Sequence, residues 1–312
     1  MNSHFQYINF LQRQPGTPVH RLGTEMKISI THYIGGFFIF LFIYLFSSMV
    51  LGLFEQIYHL HTMHMPESPI TPWLLEISQL LLIGLGLLAL HWTLGLQGRD
   101  LMSVIAPGKR LDGGMWWRAA LVYGLCFSLM MLPFPFMDET PWALPSVTAL
   151  LWLPAMLPAF ALQTAAEEAF CRGYLAQGFQ VLFRNAAVAA LPVAVIFSLL
   201  HGWNGGERQV FYWGLSLFAS YLTWRFGRLE AAMGVHFAHN ILFTLFGTGG
   251  KGLPGMSEKM QPDEMATFPI PDMLLAALIL AVPFLLYWLL GIRTGFIEHG
   301  WRGKPAPQTE TT

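Results

Sequence analysis

Eight mostly apolar stretches dominate this chain, at approximately 33–53, 74–96, 116–134, 147–171, 187–203, 209–226, 229–248 and 271–292. Each is close to the roughly 17–25 residues that a helix needs to cross the hydrocarbon of a bilayer. Lipid offers the backbone no hydrogen-bond partners, so a spanning segment must satisfy its own. The expected fold is therefore all-α: a polytopic membrane protein of about eight transmembrane helices. Composition agrees, with 54% hydrophobic and 11% charged residues, against about 25% charged in soluble proteins. A formal charge of -1 gives no reason to expect nucleic acid as a partner. The length would allow two soluble domains, but the apolar runs recur almost throughout. We expect a cytoplasmic N-terminal segment (1–32), one membrane domain (33–292) and a cytoplasmic tail (293–312). The first run is preceded by polar residues and is too long for a signal-peptide core, so it reads as an uncleaved anchor. Cys126 and Cys171 lie in apolar segments without Cys-x-x-Cys spacing and read as small buried hydrophobes.

Basic residues set the expected orientation. Arg13, Arg21 and Lys27 precede the first run; Arg99, Lys109, Arg110 and Arg118 sit between or just inside the second and third. Arg184, then Arg225 and Arg228, then Arg293, Arg302 and Lys304 follow on the same side. Thirteen basic residues thus oppose three (Arg208, Lys251 and Lys259). The positive-inside rule then puts both termini in the cytoplasm with an even number of crossings. The segments Pro133 to Pro145 and Gly247 to Asp272 read as linkers, and Pro305 to Thr312 as disordered. The stretch from Arg99 through Ile105 reads as a short amphipathic helix on the membrane surface. Trp73, Trp116, Trp117, Trp224 and Trp301 read as interfacial belts, and the Phe-rich run Phe37–Phe46 as lipid-facing.

Against this background, ionisable residues inside apolar runs mark function, because each costs about 2.5–3.5 kcal/mol even on lenient insertion scales. Glu167, Glu168 and Arg172 interrupt the fourth run, His201 closes the fifth, and His236 and Asn240 share the seventh. Glu168 and Arg172 are i,i+4 and can pair on one helix face. Glu167 lies about 100° around that helix and is free to face a cavity. Two adjacent carboxylates in a low dielectric do not both ionise cheaply. With Arg172 neutralising Glu168, Glu167 is left as a candidate general base for activating water. His236 and Asn240, also i,i+4, could donate to a developing oxyanion. Counting rise per residue from a turn near Asn185 places Glu167 and His201 at the same depth. For His236 to join them, that turn must project roughly 12–15 Å into the cytoplasm. The fourth helix would then continue past Arg172 through Leu182, and the Gly-rich break after His201 would line the cavity.

The order Glu-Glu-x-x-x-Arg, Phe-x-x-x-His and His-x-x-x-Asn, here Glu167 to Arg172, Phe197 to His201 and His236 to Asn240, resembles the CAAX-protease and bacteriocin-processing (CPBP, Abi) family of intramembrane endopeptidases, whose eukaryotic members include CAAX prenyl protease 2. The resemblance covers about 147–247. It implies an intramembrane catalytic cavity in which Glu167 and His201 activate water, and His236 and Asn240 stabilise the oxyanion. Glu168 and Arg172 would be structural partners. It also implies hydrolysis of a peptide bond in a membrane-associated substrate, including prenylated CAAX-type proteins. The family has been described as both metallo- and glutamate proteases. A metal-free glutamate mechanism with no cofactor is the favoured reading, because nothing here resembles His-Glu-x-x-His. The alternative is zinc held by Glu167, His201 and His236.

Competing readings exist for each signal. The polar cluster could serve a non-catalytic membrane immunity or chaperone-like factor as a binding pocket. A proton-coupled transporter would call for internal repeats, and none is visible. His239 lies about 100° from Asn240 and reads as packing or support. His59, His61 and His64 do not match a zinc spacing.

Overall fold

A computed structural model describes residues 29–62, 71–133, 136, 144–201, 206–246 and 270–300. Helices account for the regular structure, and no strand occurs among the described residues. The long helices are α1 (Ile30–Thr62), α2 (Thr71–Gly84), α3 (Gly86–Leu96), α5 (Gly113–Met131), α6 (Val147–Glu168), α8 (Ala186–Leu200), α9 (Gly206–Phe226), α10 (Glu230–Phe246) and α11 (Ile270–Tyr287). Short helices α4 (Met102–Ile105), α7 (Ala176–Phe183) and α12 (Phe296–His299) complete the set, with π-helical turns at Ala169–Leu175 and Trp288–Arg293.

Among the described residues each apolar run is carried mainly by helix. By length and composition, however, three stretches are able to cross a bilayer: Glu76–Leu96, Val147–Phe183 and Ala276–Arg293. Ile30–Phe46 and Ala186–Leu200 are shorter apolar helices. Large side chains point outward along these rods, among them Phe38, Phe42, Trp92, Leu121, Leu151 and Leu274, all more than half exposed. Water-soluble proteins rarely expose contiguous apolar patches of more than a few hundred Å², and outward apolar side chains in such number suit a lipid surrounding. The chain is an integral membrane protein.

Local chemistry explains several boundaries. Asp112 caps α5 by accepting from Met115 N at 2.8 Å, and Ser146 caps α6 by accepting from Ala149 N at 3.1 Å. Asn185 accepts from Ala187 N and Val188 N at the start of α8. Arg184, at φ 54°, makes the left-handed corner that ends α7. Such caps answer the four unpaired N–H groups that every helix start exposes.

As expected, the α6 rod runs on through the π turn and α7 to Phe183. Glu168 and His236 stand at one level, so the rod continues 15 residues beyond that level while α10 begins only six residues before it. The α7–α8 corner therefore projects about 13 Å past the start of α10.

Two apolar cores hold the bundle. One joins α2, α5, α6, α9, α10 and the end of α11; the other joins α1, α3, α4, the π turn, α8 and the start of α10. Helices α5 and α10 pack closely, with Gly234 set against Trp116, Ala119 and Ala120. A Cβ on Gly234 would stand 2.2 Å from the Trp116 carbonyl oxygen. Small residues let helix axes approach, and this is how packing is gained where lipid removes the hydrophobic drive.

Three sequence expectations change here. The stretch around Met102–Ile105 is not a surface helix: Ser103, Val104 and Ile105 are buried, and the Ile105 carbonyl accepts from Leu229 N at 3.0 Å. Gly173 makes the room, since its Cα faces Val104 directly. Trp73 is 5% exposed and stacks on Trp152, so it belongs to the core rather than an interfacial belt. Within the Phe-rich run, Phe40 is buried against Phe170, so that run is only partly lipid-facing. The side chains of His59, His61 and His64, the Gly-rich break at 202–205, the linker at 247–269, most of 134–143, Trp301 and the tail lie outside the described residues.

Candidate active site

The two cores meet where α6 passes into the π turn. Glu167 and Glu168 end α6, and Arg172 sits within Ala169–Leu175, all of which is buried. π turns inside α-helices are frequent at functional sites, because the extra residue per turn shifts side chains out of the regular register. Glu168 and Arg172 are both fully buried and pair, Nη1 to Oε1, at 2.9 Å. The same Oε1 accepts from His236 Nδ1 at 2.8 Å. One carboxylate oxygen thus joins α6, the π turn and α10. A buried ion is tolerated when paired and hydrogen-bonded in this way.

Glu167 is placed differently. Its side chain keeps 17% exposure, and its Oε2 lies 3.4 Å from His236 Nε2. Its Oε1 accepts from Gln163 Nε2 at 2.8 Å. Gln163 Oε1 in turn accepts from Asn240 Nδ2 at 2.9 Å. The His236 ring therefore stands between the two carboxylates, with Nδ1 toward Glu168 and Nε2 toward Glu167. The bond to Glu168 gives Nδ1 the proton, so Nε2 is the end that faces Glu167.

His201 caps the C-terminal end of α8. Its Nδ1 lies 2.7 Å from the Phe197 carbonyl, and its ring stacks on Tyr212 at 4.5 Å. Phe197 links it to the rest of the cluster, 4.5 Å from His201 and 5.6 Å from His236 by ring centroid. The Arg172 guanidinium lies 4.3 Å over the same Phe197 ring. The remaining Arg172 nitrogens, Nε and Nη2, have no hydrogen-bond partner among the described residues. Arg172 borders a small cleft shared with Gln180, Ser220 and Thr223.

His239 faces away from this group, into the α5 side, where its Nδ1 lies 3.0 Å from the Tyr123 hydroxyl. Gln163 was not singled out from the sequence. The available signal was its position one turn before Glu167, a 4%-exposed amide in an apolar helix. Glu167, His201 and His236, the zinc alternative, are not gathered as a ligand set: among the described residues no three His, Cys, Asp or Glu side chains could hold one ion. Cys126 and Cys171 are free and buried.

A helical membrane protein with a carboxylate–imidazole–amide cluster buried between its helices is thus the class that fold and site define. Residues 148–242, which carry all of these side chains, match the Rce1-like family, described as type II CAAX prenyl endopeptidase Rce1-like. The resemblance borne by the three motifs is therefore shown, over that segment. The uncharacterized protein YyaK of Bacillus subtilis (strain 168) is 27% identical over 161 residues, 47% of this chain and 52% of that protein. The chain spans about half the length of this curated relative. No solved structure matches.

Proposed function

We propose that the protein is an intramembrane endopeptidase that hydrolyses a peptide bond in a membrane-associated protein or peptide, of which a prenylated CAAX-type chain is the first candidate. The observation that carries this reading is the unequal use of two adjacent carboxylates around one imidazole. Glu168 is fully buried and gives one oxygen, Oε1, to both Arg172 and His236, whereas Glu167 keeps 17% side-chain exposure and holds its Oε2, without a hydrogen-bond partner among the described residues, 3.4 Å from His236 Nε2. Division of labour between paired carboxylates is how one site supplies both a base and a fixed charge.

In the proposed reaction Glu167 takes a proton from water while the water oxygen bonds to the scissile carbonyl carbon. His201, at the end of α8, orients the same water. The carbonyl oxygen gains the electron pair and is held by Asn240 Nδ2–H and by His236, which donates from Nε2 when both ring nitrogens carry protons. Collapse breaks the C–N bond, and Glu167 returns its proton to the departing amine. One peptide and one water become one carboxyl and one amine. Glu168 and Arg172 hold the His236 ring at its angle. These steps use protein groups alone.

Around this centre we propose eight membrane crossings with both termini cytoplasmic. In support, Asp112, Arg118, Arg225, Arg228, Glu230 and Glu298 are joined by ion pairs and hydrogen bonds at one end of the bundle. Charged residues gather where water and headgroups are.

The test is cleavage of an internally quenched farnesylated CAAX-type peptide by purified protein in liposomes. Glu167→Gln should lower turnover by about 10²–10⁴-fold, the usual contribution of a positioned base, with unchanged helical circular dichroism. Activity should persist after exhaustive chelation with metal content verified to be negligible. Normal turnover by Glu167→Gln would overturn the reading and leave a binding protein as the better account.

A further inference from the structure

We propose that Gln163 is a positioning residue that ties the water-activating carboxylate to the oxyanion donor. The inference rests on the assignment of Glu167 and Asn240 above. Gln163 sits on α6 one turn before Glu167, is 4% exposed, and spends both ends of its amide within the site. Its Nε2 donates to Glu167 Oε1 at 2.8 Å, and its Oε1 accepts from Asn240 Nδ2 at 2.9 Å.

The direction of this chain follows from the chemistry. A carboxylate can only accept, so the Gln163 amide must turn its NH2 group toward Glu167. Its carbonyl then faces α10, and Asn240 must answer with its own NH2 group. A reversed Gln163 would set carbonyl oxygen against carboxylate oxygen and NH2 against NH2. Each amide orientation is thus set by the one before it, starting from Glu167.

Two consequences bear on catalysis. With Oε1 of Glu167 held by Gln163, the other oxygen, Oε2, is buried 3.4 Å from His236 Nε2 with no hydrogen-bond partner among the described residues, and it is the oxygen the proposed reaction uses on water. Asn240, with one N–H given to Gln163, has its second N–H directed about 120° away, and that is the donor available to substrate. Without Gln163, Asn240 could present its carbonyl to the developing negative charge instead, and Glu167 could rotate either oxygen toward the imidazole. Gln163 touches neither water nor substrate in this scheme; it acts through its two neighbours.

The experiment compares Gln163→Met, which keeps the side-chain length and removes both hydrogen bonds, with Asn240→Ala and the double variant, on the same farnesylated peptide. We expect kcat of Gln163→Met to fall about 10–100-fold, less than the 10²–10³-fold typical of deleting an oxyanion donor itself, with KM nearly constant. Because Gln163 acts in part through Asn240, the loss in the double variant should be clearly smaller than the product of the two single losses. An unchanged kcat, losses that multiply in the double variant, or a fall matched by a lower melting midpoint in detergent would each overturn the proposal. Should Gln163→Met not fold, Gln163→Asn keeps the amide but falls one methylene short of Glu167: a lowered kcat supports the assignment, and wild-type kcat overturns it. Glu167→Gln separates the two levels. If that variant turns over normally, the base assignment has failed; if it is inactive while Gln163→Met is normal, only the positioning role has failed.

Discussion

Glu168 and Arg172 show how a membrane interior can hold full charges. Each is fully buried, and the carboxylate has both a guanidinium and an imidazole on one oxygen. Removing one partner leaves the other unpaired in a low dielectric, which costs about 3–5 kcal/mol in buried pairs. Glu168→Ala should therefore lower the melting midpoint in detergent sharply, and Arg172→Ala should do the same. Arg172→Lys should rescue little, since a point charge on a flexible stem does not reproduce the planar guanidinium lying over Phe197. Equal stability of Glu168→Ala and wild type in a thermal scan would contradict this account. The i,i+4 spacing made the pair legible in the sequence. The bond from His236 to Glu168 was not, because spacing tells which face of a helix a residue occupies and nothing about which helix lies opposite. Gln163 escaped notice for the same reason: its worth comes from Asn240, which is 77 residues away.

At the scale of elements, close backbone approach matters as much as side-chain chemistry. Helix α10 carries His236 and Asn240, and its register against α5 is set at Gly234, where a Cβ would lie 2.2 Å from the Trp116 carbonyl oxygen. Backbone cannot swing aside as a side chain can, so Gly234→Ala must push the helices apart. A cost of about 1–3 kcal/mol is usual for overpacking, and displacement of His236 should reduce peptide turnover as well. Gly35→Ala is the control: nothing lies within 4 Å of its Cβ position on the exposed face of α1. There, alanine should be neutral or stabilising by up to about 1 kcal/mol. Thermal denaturation of both variants in one detergent decides the comparison. The π turn belongs to this scale too. Apolar spacing announced a helix continuing past Arg172, and the helix does continue. The one-residue shift in register at Ala169–Leu175 leaves no mark in hydropathy, because each residue there is buried on every side.

For the molecule as a whole, the proposed topology makes the α7–α8 corner the most cytoplasmic point of the catalytic half. Arg184→Cys should then react with a membrane-impermeant maleimide from the cytoplasmic face of sealed vesicles and not from the other face. The native thiols Cys126 and Cys171 are buried and should give little background. Labelling from the opposite face alone would invert the arrangement. The expected depth of the site came from counting rise per residue; with Glu168 and His236 hydrogen-bonded, the same count along the helices as they are bounded in the structure gives an offset of about 13 Å. The surface placement of Met102–Ile105 failed because burial in a bundle depends on the partner: Gly173, 69 residues after Val104, opens the space into which Val104 fits.

The order of polar residues along an apolar chain was enough, unaided, to yield helices, a membrane setting and a short list of chemistry-bearing side chains. These properties are local: hydropathy, helical period and the cost of burying charge act over a few turns of chain. Only the tertiary structure decided which oxygen of which glutamate is committed, which amide joins the two halves of the site, and how near α5 and α10 come. Those outcomes depend on contacts between helices far apart in sequence, where a shift of one residue in register exchanges every partner.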